Sequence, residues 1–228
     1  MDSASTAGRK RLEPDPRVRA VILTAAARII RAEGVPALSV AAVLERTKLG
    51  TRAFYRHFDS KDQLLAAVFL DMARREVRRL RKPMEQASNP VRAVMAWIDG
   101  RLDLVFDDRI RPDLRRVSLE AQSQMFATPE LVAPAYREML RPLIEYLERG
   151  KDLGLFDDID PDSEGRSING VVWANVQSQW AMGDGDLTEL RTRVQRFCLR
   201  GLGVAAETID AALAEAPRPE LLKDNATR

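Results

Sequence analysis

The chain has 228 residues, 45% of them hydrophobic and 31% charged, at a formal net charge of +2, enough for a sizeable core in one or two domains. No apolar run approaches the roughly 18 residues that a membrane helix needs, and a single cysteine with a single histidine excludes an internal disulfide and a zinc site of the Cys/His type. The polar, basic first residues lack the apolar segment of a secretory signal, so the expected compartment is the cytoplasm, with no membrane partner, no metal and no cofactor.

Residues 1–16 are small, polar and Pro-containing, and read as a flexible arm with a basic cluster at Arg9, Lys10 and Arg11. Val18, Val21, Ile22, Ala25 and Ile29 then recur at helical spacing, and Gly34 stops that helix. Ser39 caps a brief second helix with Val40, Val43 and Leu44 facing inward. The KLG stretch at 48–50 breaks it, and a third short helix holds TRAFYRHF, residues 51–58. Ser60 caps a fourth helix with Gln63 at its third position, a capping box. That helix runs through Leu64, Leu65, Val68, Phe69, Met72 and Leu80 until Pro83.

Further helices are expected from Pro90 to about Asp108, Pro112 to about Phe126 and Pro129 to about Leu153. Another runs from a cap at Asp162 or Ser163 to Met182, and a last one from Leu187 to Leu202. The stretch from Ala216 onward is Pro-rich and polar, a second flexible tail. No run alternates β-branched residues, so the fold class is all-α. The expected organisation is an arm at 1–16, a helix-turn-helix domain at 17–62, a helical body at 63–215 and a tail at 216–228.

Charge is spread unevenly over these parts. Residues 1–62 hold 12 Lys/Arg against 7 Asp/Glu, whereas residues 63–228 hold 24 against 27. A basic front on a mildly acidic body points to a polyanion met by the front. Two short helices around a tight turn with Gly50 make a helix-turn-helix pattern. On the third helix Arg52, Tyr55 and Arg56 share one face, while Phe54 and Phe58 share another and pack inward. Leu49 fills the gap in the turn, and His57 reads as half-buried packing. Such a helix fits a major groove roughly 12 Å wide, where Arg commonly reads guanine edges. Lys61 is a cation in the first turn of a helix, opposed to the dipole. It is accounted for if a phosphate docks on the free amides there.

The stretch AAARIIRAEGVPALSVAAVLERTKLGTRAFYRHFDSKDQLLAAV, residues 25–68, resembles the DNA-binding domain of the TetR family of bacterial one-component regulators. The resemblance rests on Gly34, Ser39, the Phe54-Tyr55-Arg56-His57-Phe58 block, Ser60-Lys61 and Leu64-Leu65. It implies that Ser39, Tyr55 and Lys61 contact phosphates and that Thr51, Arg52 and Arg56 face bases or their flanking phosphates. Many members carry a small residue where Arg52 stands, so Arg52 as base reader and Arg52 as backbone clamp both remain open.

The same resemblance implies a C-terminal helical ligand-binding and dimerisation domain. The last two long helices would join those of a second copy, with Val171, Asn175, Gln179, Val194, Phe197 and Gly201 at the interface. An unknown small-molecule effector would sit among the middle helices, against Trp97, Glu120, Met125, Phe126, Trp173 and Gln177. The function expected is a homodimeric repressor on a double-stranded, palindromic DNA operator, released by its effector. The alternative is a DNA-binding protein without such an effector, controlled by another protein, activating or architectural. An enzyme is not expected: the one histidine lies in the helix-turn-helix, Cys198 sits in an apolar stripe, and no Gly-rich phosphate loop is present.

Overall fold

The computed structural model describes residues 15–106, 119–121, 123–124, 127–182 and 186–215. Among them every regular element is helical: α1 (Pro16–Glu33), a 3-10 turn (Val35–Ala37), α2 (Val40–Thr47), α3 (Thr51–Tyr55), α4 (Lys61–Glu85), α5 (Pro90–Phe106), α6 (Pro129–Asp152), α7 (Pro161–Met182), α8 (Leu187–Gly201) and α9 (Ala206–Ala214). The basic arm, the tail and most of the helix expected from Pro112 lie outside the described residues. The chain divides into two compact units, Met1–Val68 and Phe69–Arg228, the division falling inside α4.

In the first unit, α1 starts on Asp15, whose carboxylate accepts from the Arg17 N–H at 2.8 Å, with Pro16 at the first helical position. Its buried face is Ile22, Ala25, Ala26, Ile29 and Ile30. Val21 is not on it: it stands about one hundred degrees around the helix from Ile22 and is 48% exposed. Gly34 ends α1 at φ 84°, a region closed to most side chains, and its N–H reaches the Ile30 carbonyl at 2.9 Å.

The turn between α2 and α3 differs from the expectation. Its left-handed residue is Lys48 at φ 56°, whereas Gly50 is extended at φ −81° and ψ 156°. The fourth helix continues two residues past Pro83, which is exposed and supplies no N–H to the helical ladder.

In the second unit α5 packs against α6, α7 and α8. Val94, Trp97, Ile98 and Leu102 of α5 are fully buried, and Leu143, Leu147, Val172, Val176 and Leu199 close around them. Gly150 on α6 is required by contact: a Cβ there would fall 2.0 Å from the Phe156 ring. The start of α7 is set by Asp160 and not by Asp162 or Ser163. Asp160 accepts from the Asp162 N–H at 3.3 Å and the Ser163 hydroxyl at 2.7 Å, and Pro161 opens the helix. The ninth helix was not anticipated. Only Ile209 and Ala212 of it are buried, and Arg92 ties its end down through the Ala212 and Glu215 carbonyls.

A band of charge crosses this apolar unit. Glu76 and Arg79 of α4 pair, and Arg79 also donates to the Gly100 carbonyl of α5 at 2.5 Å. Arg101 reaches Glu76 at 3.4 Å, and Arg191 of α8 pairs with Asp103. Gln195, 3% exposed, donates to Asp99 at 2.7 Å. Burial works against the Glu76 charge, yet Arg79 and Arg101 hold its carboxyl below the ordinary value. Asp99 goes the other way: burial raises it to about 6, with Asp103 adding to the rise and Arg191, Gln195 and Arg92 opposing it.

A carboxyl raised in the folded state binds its proton more tightly there than in the unfolded chain. Stability attributable to Asp99 therefore falls as pH rises from about 4 to about 6 and is level above that. Asp99→Asn should flatten that slope. Urea midpoints measured from pH 4 to 7 are expected to show a wild-type-specific decline on the order of 1 kcal/mol, less than the full shift gives because 31% of the side chain is exposed.

Candidate nucleic-acid interface

The short third helix is held by its aromatics. Phe54 and Phe58 are 0% and 2% exposed, their ring centroids 5.9 Å apart. Tyr55 meets Phe54 edge-on at 5.3 Å while remaining 52% exposed. From α1, the Arg19 guanidinium lies over the Phe58 ring at 5.2 Å, a cation–π contact that spacing within one helix could not reveal. Helical geometry in α3 ends at Tyr55 instead of Phe58, and the His57 and Phe58 N–H groups close the turn on the Phe54 carbonyl at 2.9 and 3.0 Å. His57 is half-buried, as its packing role requires.

The opposite side is polar and open. Ser39, Thr51, Arg52, Tyr55, Arg56 and Lys61 are all exposed. Among the described residues, no hydrogen bond or ion pair engages the side chains of Thr51, Arg52, Tyr55, Arg56 or Lys61. In the second unit, by contrast, Arg75, Arg79, Arg81, Arg141, Arg191 and Arg196 all have carboxylate partners. Ser39 Oγ accepts from the Ala42 N–H at 3.1 Å, which caps α2 and leaves the hydroxyl proton free to donate outward.

At the start of α4, Ser60 Oγ accepts from the Gln63 N–H at 3.0 Å. The Gln63 carbonyl reaches back to the Asp59 N–H at 2.5 Å, one residue before the cap. This variant of the capping box fixes the turn that presents Lys61. An open cation beside free first-turn amides is chemically an anion site. A row of unpaired guanidinium, ammonium and hydroxyl donors on one side of a helix-turn-helix suits phosphates and base edges.

Residues 22–68 match the family "Bacterial regulatory proteins, tetR family". These residues therefore carry the DNA-binding domain of that family. No curated protein matches the chain by sequence. Among solved structures it is similar to the fatty acid degradation regulator FadR from Bacillus halodurans, at 21% identity and TM-score 0.62, over 84% of this chain and 99% of that one. It is also similar to RolR in complex with resorcinol, at 21% identity and TM-score 0.61, over 89% and 96%. A third is FadR from Bacillus subtilis in complex with stearoyl-CoA, at 18% identity and TM-score 0.63, over 80% and 98%. At these identities the likeness shows a shared fold alone.

The residues marked in the second unit fall in different places. Trp97 is fully buried and Trp173 is 8% exposed, both in the one core. Glu120 is half-buried and accepts from Gln124 at 3.4 Å. Gln177 is exposed, next to the buried Val176, and Met125 and Phe126 lie outside the described residues. On α8, Leu190, Val194 and Cys198 turn inward at four-residue spacing, so Val194, 2% exposed, packs within its own chain. Phe197, 63% exposed, and Gly201 turn outward. On α7, Val171, Asn175 and Gln179 are half-buried, and Asn175 bonds the Val171 carbonyl at 2.8 Å and Arg193 at 3.4 Å. Burial pushes the Cys198 thiol up to about 12, which makes it unreactive.

Sequence reading passed over Asp99 and Arg101. Their signal was present as charges interrupting the otherwise apolar VRAVMAWIDGRLDLVF run of α5.

Ser60→Ala removes the cap acceptor and is expected to lower the stability of the first unit by about 1 kcal/mol in chemical denaturation, whereas Ser60→Asp restores it.

Proposed function

We propose that this regulator is a homodimeric cytoplasmic repressor that binds a palindromic operator through α3 and is released by a small-molecule effector held in its second unit. The observation that carries the DNA part is the open row Arg52, Tyr55, Arg56 and Lys61, exposed and, among the described residues, without hydrogen-bond or ion-pair partners, over a support of buried Phe54 and Phe58. In this reading Ser39, Tyr55 and Lys61 take phosphates and fix the register, while Thr51, Arg52 and Arg56 face the groove. A two-fold pair of such heads sets them roughly 34–36 Å apart on successive major grooves.

The dimer part is supported by an outward strip of small and apolar residues. Gly170, Ala174 and Ser178 on α7 are exposed, as are Phe197 and Gly201 on α8. Small residues at helical spacing allow close approach of a second copy, and Phe197 supplies an apolar anchor.

Release requires the effector to bind the two conformations of the protein unequally, since equal binding shifts nothing. The route proposed is α4, one continuous helix that carries Lys61 at its start and Glu76 and Arg79 further along. The ligands named with RolR and the Bacillus subtilis FadR, resorcinol and stearoyl-CoA, are in keeping with an effector in this family.

Selection of bound duplexes from a random pool tests the whole reading. An inverted repeat occupied by one or two dimers is expected; purely salt-sensitive binding without enrichment overturns it. Tyr55→Phe and Lys61→Ala should weaken all sequences alike, and the lysine change should reduce the salt slope by about 1. Arg52→Ala and Arg56→Ala should instead relax preference at particular base pairs, at about 1–3 kcal/mol each. Uniform losses for all four changes would refute the division of roles. Phe197→Asp should give a monomer in sedimentation, with operator affinity lower by about 10²-fold or more as the second head is lost.

A further inference from the structure

The second unit leaves several buried hydrogen-bonding atoms without partners. Among the described residues these are Trp97 Nε1, Arg101 Nε, Trp173 Nε1 and Arg191 Nε. Every one of them is an N–H donor; among the described residues no buried side-chain acceptor of this unit is left over. Buried donors are normally satisfied, and each one left bare opposes folding. Arg191 Nε lies 4.0 Å from the Asp99 carboxylate and belongs to the ion-pair band between α5 and α8. The other three lie on α5 and α7, and Trp97 and Trp173 belong to the same apolar core.

Trp97 and Arg101 stand one turn apart on the same side of α5. Asp99 and Asp103 occupy its opposite side, toward Arg191. The Arg101 charge is within electrostatic reach of Tyr136 on α6. The Tyr136 oxygen accepts from Asn169 Nδ2 of α7 at 3.3 Å, which leaves the phenol proton unspent. One turn beyond Asn169 stands Trp173, and Trp180 meets its ring edge-on at 5.6 Å. Three helices thus bring to one region a buried guanidinium, two bare indole N–H groups, a phenol with its proton to give, and a pair of indole faces.

We infer that the effector of this regulator is an organic anion with a flat apolar body, its carboxylate held by Arg101 with N–H donation from Trp97 and Trp173. The inference rests on the reading of the second unit as an effector domain. A carboxylate has room for about four hydrogen bonds and prefers charged donors, so it answers this donor set. Burial pulls the Arg101 pKa down and Glu76 supports it only at 3.4 Å, while Glu76 is itself engaged in a two-point pairing with Arg79. A second anion would relieve that shortfall. A neutral ligand would leave it in place. The indole faces of Trp173 and Trp180 supply the surface for the apolar body.

All three tryptophans of the chain, Trp97, Trp173 and Trp180, lie in this region, so intrinsic emission reports on it directly. The full-length protein is titrated with naphthalene-2-carboxylate, 4-hydroxybenzoate and decanoate, each beside its carboxamide, reading melting temperature and tryptophan emission. At least one acid is expected to raise the melting temperature and change the emission with an affinity tenfold or more above that of its amide. Arg101→Met should abolish the difference and Arg101→Lys should keep part of it. If Arg101→Met does not fold, Trp173→Phe, which keeps a ring and loses the N–H, should weaken the acid selectively. Amides that bind as well as the acids, an Arg101→Met protein that still prefers the acid, or no response to any of the three acids overturns the inference. The operator selection uses no ligand, so the repressor reading stands or falls there independently. An amide that releases operator DNA overturns the anion while leaving effector control intact.

Discussion

A helix of five residues cannot hold itself together in water, because the first turn fixes many dihedrals for few hydrogen bonds. The third helix of this chain, Thr51–Tyr55, is of that length. Its orientation is therefore a consequence of what Phe54 and Phe58 bury against. The exposed basic side of the first unit follows from this constraint. With both rings committed inward, helical geometry has no choice about where Arg52, Tyr55 and Arg56 go. The same logic reaches back to α1, whose Arg19 covers the Phe58 ring. It reaches forward to the Ser60 and Gln63 cap, which fixes where α4 begins and hence where the Lys61 ammonium stands.

The second unit is organised by the opposite device, a helix buried on nearly all sides. A core helix of this kind normally excludes charge, yet α5 carries Asp99, Arg101 and Asp103. Each has a partner on another element, so the charges act as register marks between α4, α5 and α8. Sliding one helix past another by a turn would strand several of them at once. Apolar packing alone would not resist such a slip as strongly, since one aliphatic layer resembles the next. A unit built this way resists continuous sliding of its helices.

Much of this was legible from the chain. The all-α class and most element positions followed from apolar spacing, and the Ser39 and Ser60 caps followed from side-chain chemistry. The separation of Phe54 and Phe58 from Arg52 and Arg56 was a matter of helical arithmetic, and so was the exposure of Arg52, Tyr55 and Arg56. What escaped depended on other elements. Val194 and Phe197 share an apolar character, and only the packing of α8 on its neighbours decides that one turns in and the other out. The ninth helix escaped because a short alanine-rich stretch has little amphipathic signal, its place being set by Arg92 from α5. The cap of α7 fell to Asp160 because proline at the next position is best tolerated in a first turn.

The left-handed residue of the turn has a consequence of its own. Glycine would adopt φ 56° at no steric cost, and one stands two positions later in an extended conformation that does not need it. The chain instead keeps Lys48, exposed and positively charged, in the strained position. Left-handed backbone costs an ordinary residue roughly 1 kcal/mol. A search for more stable variants would therefore change Lys48 to glycine early, and each such gain would remove a cation from the basic first unit. In this turn, relief of the backbone and the positive charge of the first unit are opposed.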